Sequence, residues 1–357
     1  MSSTYGENLK LSIFGQSHGK AIGMVLDGIP AGLRVNETDL AEFMARRMPG
    51  SSDYVTARKE RDQVVFLSGI ADGYTCGAPI SAVIENADAH SADYSSVKQT
   101  PRPGHADYTA QVKYGGFQDA AGGGHFSGRL TAPLCIAGGL CKQWLADLGI
   151  SVGAHITQVG NALGQRFDPL NPQLEQVGQL FPTLSTESAE VFQQVIAQAK
   201  ERGDSVGAKV ECAVTGISAG LGDPMFGGVE NRIAQIIYGI PAVKAVGFGC
   251  GEDFAVLYGS KSNDAYAMVD GRVVTATNRC GGILGGITTG MPVIFTATFK
   301  PTPSIGMPQA SVDITTGEAV TIEVTGRHDP CVAVRAVPVV EAAAAVAIYD
   351  MILGQRR

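Results

Sequence analysis

Along residues 209–215, Val210, Cys212 and Val214 fall on one side of the chain, and Lys209, Glu211 and Ala213 on the other. A period of two predicts a β-strand. Shorter runs of the same kind at 63–67, 292–299 and 320–324 predict three more. Helical spacing alternates with them. Thr38 is placed to cap a helix through Leu40, Phe43 and Met44. The segment 185–202 carries Val191, Val195, Ile196 and Ala199 at helical spacing, with Gly203 as its stop. Residues 229–238 put Ile233, Ile236 and Ile237 on one face. Residues 133–148 and 339–353 are apolar nearly all round, which predicts helices covered on both sides. Segment 159–182 is loop-rich and reads as an insertion. Helices and strands mix without strict β-α-β order, so the expected class is α+β. No Pro/Ser linker or composition break divides the chain, which predicts a single domain over 1–357.

Composition narrows the picture. The chain has 357 residues, 45% hydrophobic and 17% charged, enough for a large core and unlike a disordered chain. Its formal charge of −7 does not support a basic nucleic-acid face. Seven cysteines without a Cys-x-x-Cys pair read as free thiols, which fits a reducing, cytoplasmic setting and argues against a zinc site. Residues 1–10 show no signal peptide, and the apolar stretches 132–141 and 338–349 are too short to span a bilayer.

The chemistry lies in glycine-flanked histidines. Of six histidines, His18, His105, His125 and His328 sit beside Gly, Arg or Asp in loop-like sequence. A histidine on such a loop can approach a ligand and titrates near neutrality. His90 and His155 lack that context and read as structural. Arg46, Arg47 and Arg58 cluster, and Arg102, Arg129, Arg327 and Arg335 lie in or beside the histidine motifs. Guanidinium forks suit phosphate and carboxylate. Residues 281–290 are a Gly-rich turn able to aim backbone amides at an anion, though neither a Walker motif nor a Rossmann fingerprint. Lys300-Pro301-Thr302-Pro303-Ser304 adds a cation and hydroxyls between fixed turns. These features imply an enzyme with a phosphorylated ligand and histidine acid/base groups, and do not name the reaction.

Together the motifs resemble chorismate synthase nearly end to end. They run from Phe14-Gly15-Gln16-Ser17-His18-Gly19, through Arg102-Pro103-Gly104-His105-Ala106-Asp107 and Gly123-Gly124-His125-Phe126-Ser127-Gly128-Arg129, to Arg327-His328-Asp329-Pro330-Cys331 and Arg335. The resemblance implies a homotetrameric β-α-β sandwich, with antiparallel sheets enclosing a helical layer. It implies a 1,4-anti elimination of phosphate from 5-enolpyruvylshikimate 3-phosphate that gives chorismate and requires reduced FMN without net redox. By position, His18 would protonate the departing phosphate. His105 would sit near flavin N1, and Asp329, with His328, would help move the N5 proton. Ser17, Arg47, Arg58, Arg102, Arg129 and Arg335 would hold the substrate. His125, Phe126, Ser127, Ala242, Gly285, Lys300, Pro301, Thr302, Pro303, Ser304 and Arg327 would hold the flavin.

Four positions depart from the family pattern. Gln16 stands where Glu is usual, Met48 where a third Arg is frequent, with Asp53 where a basic residue is frequent, and Pro241 where Asn often precedes the Ala242 site. Gln16 and Met48 motivate a first rival, a relative that binds FMN or a phosphorylated metabolite without turnover. A second rival, a metal-dependent phosphatase, would need more carboxylates than Asp107 and Asp329. Some family members reduce their own flavin with NADPH. Long insertions mark many of those, and none is obvious here, so an external flavin reductase is expected. Neither a nucleic acid nor a membrane is an expected partner.

Overall fold

The computed structural model describes residues 3–48, 62–86, 99–178, 181–324 and 329–355. Two five-stranded antiparallel sheets carry the architecture. The first contains β1 (Thr4–Tyr5), β2 (Lys10–Gly15), β3 (Ala21–Asp27), β4 (Val65–Ser68) and β5 (Ile80–Glu85), in the order β1-β2-β3-β5-β4. The second contains β6 (Ser151–Val159), β7 (Ala162–Leu163), β8 (Ala208–Thr215), β9 (Val243–Phe248) and β10 (Val293–Phe299), in the order β9-β10-β8-β6-β7. Among the described residues, six helices of eight or more residues accompany them: α1 (Glu37–Ala45), α2 (Asp107–Tyr114), α3 (Thr131–Ala146), α4 (Thr186–Glu201), α5 (Val229–Ile237) and α6 (Ala333–Gln355). The protein is mixed α+β, as the sequence pattern predicts, with the antiparallel sheets that the resemblance implies.

The two all-apolar helices pack on each other. α3 rests on β2, β3 and β5, and α6 rests on β6 and β8. Helix-breaking glycines inside α3 have a steric reason. A Cβ on Gly138 would lie 2.3 Å from Ala342 of α6, and one on Gly139 would lie 2.6 Å from Leu40 of α1. The absent side chains let three helices approach closely. α6 begins six residues before the expected start at 339 because Pro338 is accommodated inside it. A proline forgoes one helix hydrogen bond, and burial of nearly every side chain from Ala333 to Leu353 outweighs that. Among the described residues α6 is the one helix long and apolar enough to cross a membrane, and 94% of that window is buried in protein.

Other boundaries hold with local corrections. Ser185 caps α4, and Gly203 follows in the left-handed region at φ 69°. Asn36, not Thr38, caps α1: its side chain accepts from the backbone N–H groups of Thr38 (3.1 Å) and Asp39 (3.3 Å). β8 alternates as expected, yet both faces are covered, with Glu211 and Ala213 buried. Described residues of the 159–182 segment pack on the second sheet. Phe167 packs with Ala213 and Ile294. Glu211 accepts from Phe167 N–H (2.8 Å), Arg166 Nε (2.8 Å) and His155 Nε2 (3.2 Å). His155 is fully buried there, in keeping with the structural role expected of it. His90 lies outside the described residues.

Candidate active site

The site is built from loops at the ends of these layers. β2 ends at Gly15, and the turn before β3 carries Ser17 and His18. Opposite stands a loop whose three glycines all have positive φ: Gly122 (63°), Gly123 (111°) and Gly124 (54°). Only glycine adopts such a run without strain. Its backbone is held by Ser17, whose N–H donates to the Gly124 carbonyl (3.1 Å) and whose hydroxyl donates to the Ala121 carbonyl (3.2 Å). The same hydroxyl lies 3.1 Å from His18 Nδ1. Having given its one hydrogen to Ala121, it accepts from Nδ1–H, which assigns the ring hydrogen of neutral His18 to Nδ1.

His18 and His105 flank this glycine loop. A Cβ on Gly122 would lie 2.0 Å from His18 Cε1, and one on Gly123 would lie 3.3 Å from His105 Nε2. His105 itself is set by the Arg102–Asp107 motif. Gly104 turns the chain at φ 72°. Arg102 then clamps Asp107 through Nε (2.8 Å), Nη2 (2.8 Å) and its backbone N–H (3.0 Å). His105 Nδ1 meets Asp107 Oδ1 at 2.5 Å. Burial pushes the Asp107 carboxyl up, but hydrogen bonds from Arg102 and His105 outweigh it and hold the group far below the ordinary carboxylate range. A small hollow behind His105 is lined by Pro101, Asp107, Gln118, Gly123, Phe126 and Ile314, among others.

From Arg102 the contacts continue to the Lys300 turn. Arg102 Nη1 donates to Ser304 Oγ (3.2 Å), and Lys300 Nζ donates to the Gly104 carbonyl. Lys300 N–H donates to the Ala242 carbonyl (2.9 Å), which places Ala242, at φ 73°, beside it. Burial and the neighbouring Lys244 lower the Lys300 ammonium's pKa. A Cβ on Gly104 would meet Pro303 at 3.5 Å. Pro301 packs on Gly207, and Thr302 Oγ1 donates to the Asp329 carbonyl (3.0 Å).

The circuit then closes through buried arginines. Arg335 donates from Nη1 to Asp329 Oδ2 (2.8 Å) and from Nε to the Arg47 carbonyl (3.1 Å). Burial, set against the pull of Asp329, leaves the Arg335 pKa below its usual value. Arg47 is almost fully buried, and each of its three nitrogens has an acceptor: Thr131 Oγ1 (3.2 Å), Asp62 Oδ2 (2.8 Å) and the Gly128 carbonyl (3.1 Å). Arg129 donates to the other oxygen of Asp62 and, through Nε, to Asn86 Oδ1 (3.1 Å). Asn86 donates back to the carbonyls of Gln16 (3.1 Å) and Gly19 (2.8 Å), on either side of His18. Burial raises the Asp62 carboxyl, and Arg47 and Arg129 reverse the effect and hold it low.

Not every expected residue sits in this circuit. His125 has both ring nitrogens engaged, Nδ1 with the Gly15 carbonyl (2.8 Å) and Nε2 with Ser3 Oγ (2.7 Å), so it fastens the end of β2. Phe126 is 39% exposed, with its ring 6.3 Å from that of Tyr114. Ser127 caps the turn leading to Arg129. Gly285 lies in a separate hairpin (Ile283–Leu284 with Ile287–Thr288), and no hydrogen bond among the described residues ties it to the histidines. The glycines around it serve close backbone contact: a Cβ would strike the Ile294 carbonyl from Gly281, the Pro292 carbonyl from Gly282 and the Asp223 carbonyl from Gly286. Gly285 alone of these opens onto space. Arg58, Arg327, His328 and Asp53 lie outside the described residues. Asp62 and Asn86 were not singled out by the sequence. Asp62 ends the run Lys59-Glu60-Arg61-Asp62, which looks like a solvated charge patch. Among the described residues no group of three or more His, Cys, Asp or Glu is arranged to hold a metal ion.

Comparisons with known proteins place the chain in a family. The chorismate synthase family model matches residues 9–353. The chain is 43% identical to the chorismate synthase of Lancefieldella parvula, over 98% of this chain and 96% of that protein. It is 44% identical to that of Pyrococcus abyssi, over 98% of each. A crystal structure of a chorismate synthase superposes with a TM-score of 0.78 at 26% identity, covering 98% of this chain and 93% of that one. The chain belongs to the chorismate synthase family.

Proposed function

We propose that the protein eliminates phosphate from 5-enolpyruvylshikimate 3-phosphate to give chorismate, using reduced FMN. The observation that carries the reading is the convergence of His18 and His105 on adjacent glycines of one loop, in a chain matched to the family over nearly its whole length. The residues suit a flavin. Lys300 offers an ammonium beside the Pro303–Ser304 turn, Phe126 offers a half-exposed ring, and Gly123 leaves room against His105 where a Cβ would intrude. When bound, reduced FMN supplies the electron density that lets a poor carbon–oxygen bond break without net redox.

The chain's own residues do the rest. His18, protonated at Nε2, donates to the departing phosphate and offsets its charge. Asp62 and Thr131 hold Arg47, and Asp62 and Asn86 hold Arg129, so that the cationic wall is fixed before substrate arrives. Arg102 and Arg335 complete it, each oriented by a carboxylate. Asp329, fixed by Arg335 and Thr302, takes the proton leaving on the flavin side. His105 presents Nε2 to the flavin.

This reading makes the whole chain one domain in which two sheets enclose a helical layer. The contacts of α3 with the first sheet and of α6 with the second support it. The test is an anaerobic assay with chemically reduced FMN. Equal amounts of chorismate and phosphate are expected. Tight flavin binding without phosphate release would favour a binding protein instead. With NADPH and FMN but no added reductase, little product is expected.

A further inference from the structure

The Asp107 carboxylate accepts from Arg102 and meets the His105 ring. We propose that Asp107 is a positioning residue that fixes the tautomer of His105, keeping the hydrogen on Nδ1 and offering Nε2 to the ligand side. The argument is one of hydrogen counting. Arg102 is charged at every working pH and donates to both Asp107 oxygens, 2.8 Å to each. A third donor, the Arg102 backbone N–H, reaches Oδ2 at 3.0 Å. A carboxyl so surrounded by donors carries no hydrogen of its own. The hydrogen in its 2.5 Å contact with His105 therefore resides on Nδ1.

The other neighbours of His105 leave this assignment unchallenged. Arg102 Nη2 lies 3.1 Å from Nδ1 and 3.4 Å from Nε2; as a donor it cannot take the Nδ1 hydrogen, and it favours an Nε2 that accepts. Asp119, across the same hollow, accepts from the Ala121 backbone N–H (3.0 Å). Gly123 presents only backbone, with Nε2 3.3 Å from where its Cβ would stand. Nε2 is thus the ring nitrogen directed at the glycine loop, and it enters as a hydrogen-bond acceptor while His105 is neutral. An Asp-held imidazole of this kind loses most of its activity when the acid becomes an amide, because the amide can reverse the tautomer while leaving the geometry intact.

The assignment of His105 to the flavin rests on the proposed function; its tautomer does not, and the experiment separates them. Long-range proton–nitrogen NMR of the full-length chain, labelled with ¹⁵N-histidine and assigned by His105→Gln, reads each ring nitrogen directly. We expect neutral His105 to be protonated at Nδ1. In Asp107→Asn we expect a shift toward the Nε2–H form and turnover lower by about a hundredfold, with FMN affinity within a few-fold. An Nε2–H tautomer in the unaltered protein would overturn the inference, as would Asp107→Asn with unchanged tautomer and turnover. Should Asp107→Asn not fold, the unaltered spectrum still decides. Absence of turnover in the unaltered protein would instead refute the functional reading and leave the tautomer assignment standing.

Discussion

Arg46 and Arg47 are neighbours at the end of α1, and they serve two different regions. Arg46 turns into the helical layer and forms a fork with Glu341 of α6 at 2.6 and 2.9 Å. Glu341 also takes Lys142 of α3 and the backbone N–H of Ala154 in β6 (3.2 Å). Arg47 turns the other way, to Asp62, Thr131 and the Gly128 carbonyl. Both carboxylates are buried, both have two cationic partners, and both are held below the ordinary range because those cations outweigh the effect of burial. They differ in what they connect. Glu341 joins residues of regular helices and a strand. Asp62 joins loops, and through Asn86 and Arg335 its circuit reaches His18 on one side and Asp329 on the other. A buried ion pair does not mark function; its connection to segments that carry acid/base groups does.

Replacing each acid by its amide sharpens this contrast most. Glu341→Gln should cost about 3 kcal/mol of stability, the scale for breaking a buried pair, while the folded fraction keeps its KM. Asp62→Asn should cost a similar amount and also raise KM for the phosphorylated substrate by about tenfold or more, because its two arginines lose their fixed orientation. Urea unfolding beside steady-state kinetics reads both. A changed KM in Glu341→Gln, or an unchanged one in Asp62→Asn, would erase the distinction.

A pair of glycines gives the next test. Gly138→Ala puts a methyl into the α3–α6 contact and should destabilise by about 1–3 kcal/mol despite the better helix propensity of alanine, with kcat preserved. Gly122→Ala places a methyl on the His18 ring at a backbone φ of 63°. It should lower kcat by about a hundredfold, the scale for a displaced general acid. If Gly122→Ala retains full activity, the glycine loop does not hold His18 in place.

The smallest effect is on pH dependence. Both acids have a folded pKa below the unfolded value, so the unfolded chain binds more protons in acid. Their stabilisation is complete above the unfolded carboxylate range near ~4 and is lost as pH falls through the folded pKa values. Denaturation midpoints should therefore decline below about pH 5, and the decline should be shallower in Glu341→Gln. Identical slopes would mean that Glu341 ionises alike in both states.

The helical layer was more legible in the sequence than the loop circuit, for a physical reason. A helix apolar on every face must be buried, so α3 and α6 could be read from 133–148 and 339–353 alone, apart from the residues preceding Pro338. The histidine and arginine motifs were visible as residues, and the resemblance supplied their roles. Their mutual placement was not visible, since it depends on contacts between positions as distant as Arg47 and Arg335. Asp62 stayed hidden because a carboxylate in a charged run looks the same whether it meets solvent or two buried guanidinium groups. The glycines at 281, 282 and 286 suggest an anion turn in the sequence, and in the structure a Cβ at each would also strike a backbone carbonyl; glycine answers both needs, so the sequence does not separate them.

A crystal structure with oxidised FMN and 5-enolpyruvylshikimate 3-phosphate bound together would test the account most directly. The flavin ring is expected beside His105 and Phe126, and the substrate phosphate within about 3 Å of His18 Nε2. A flavin bound away from the Gly122–Gly123 loop, or a phosphate out of reach of His18, would contradict it.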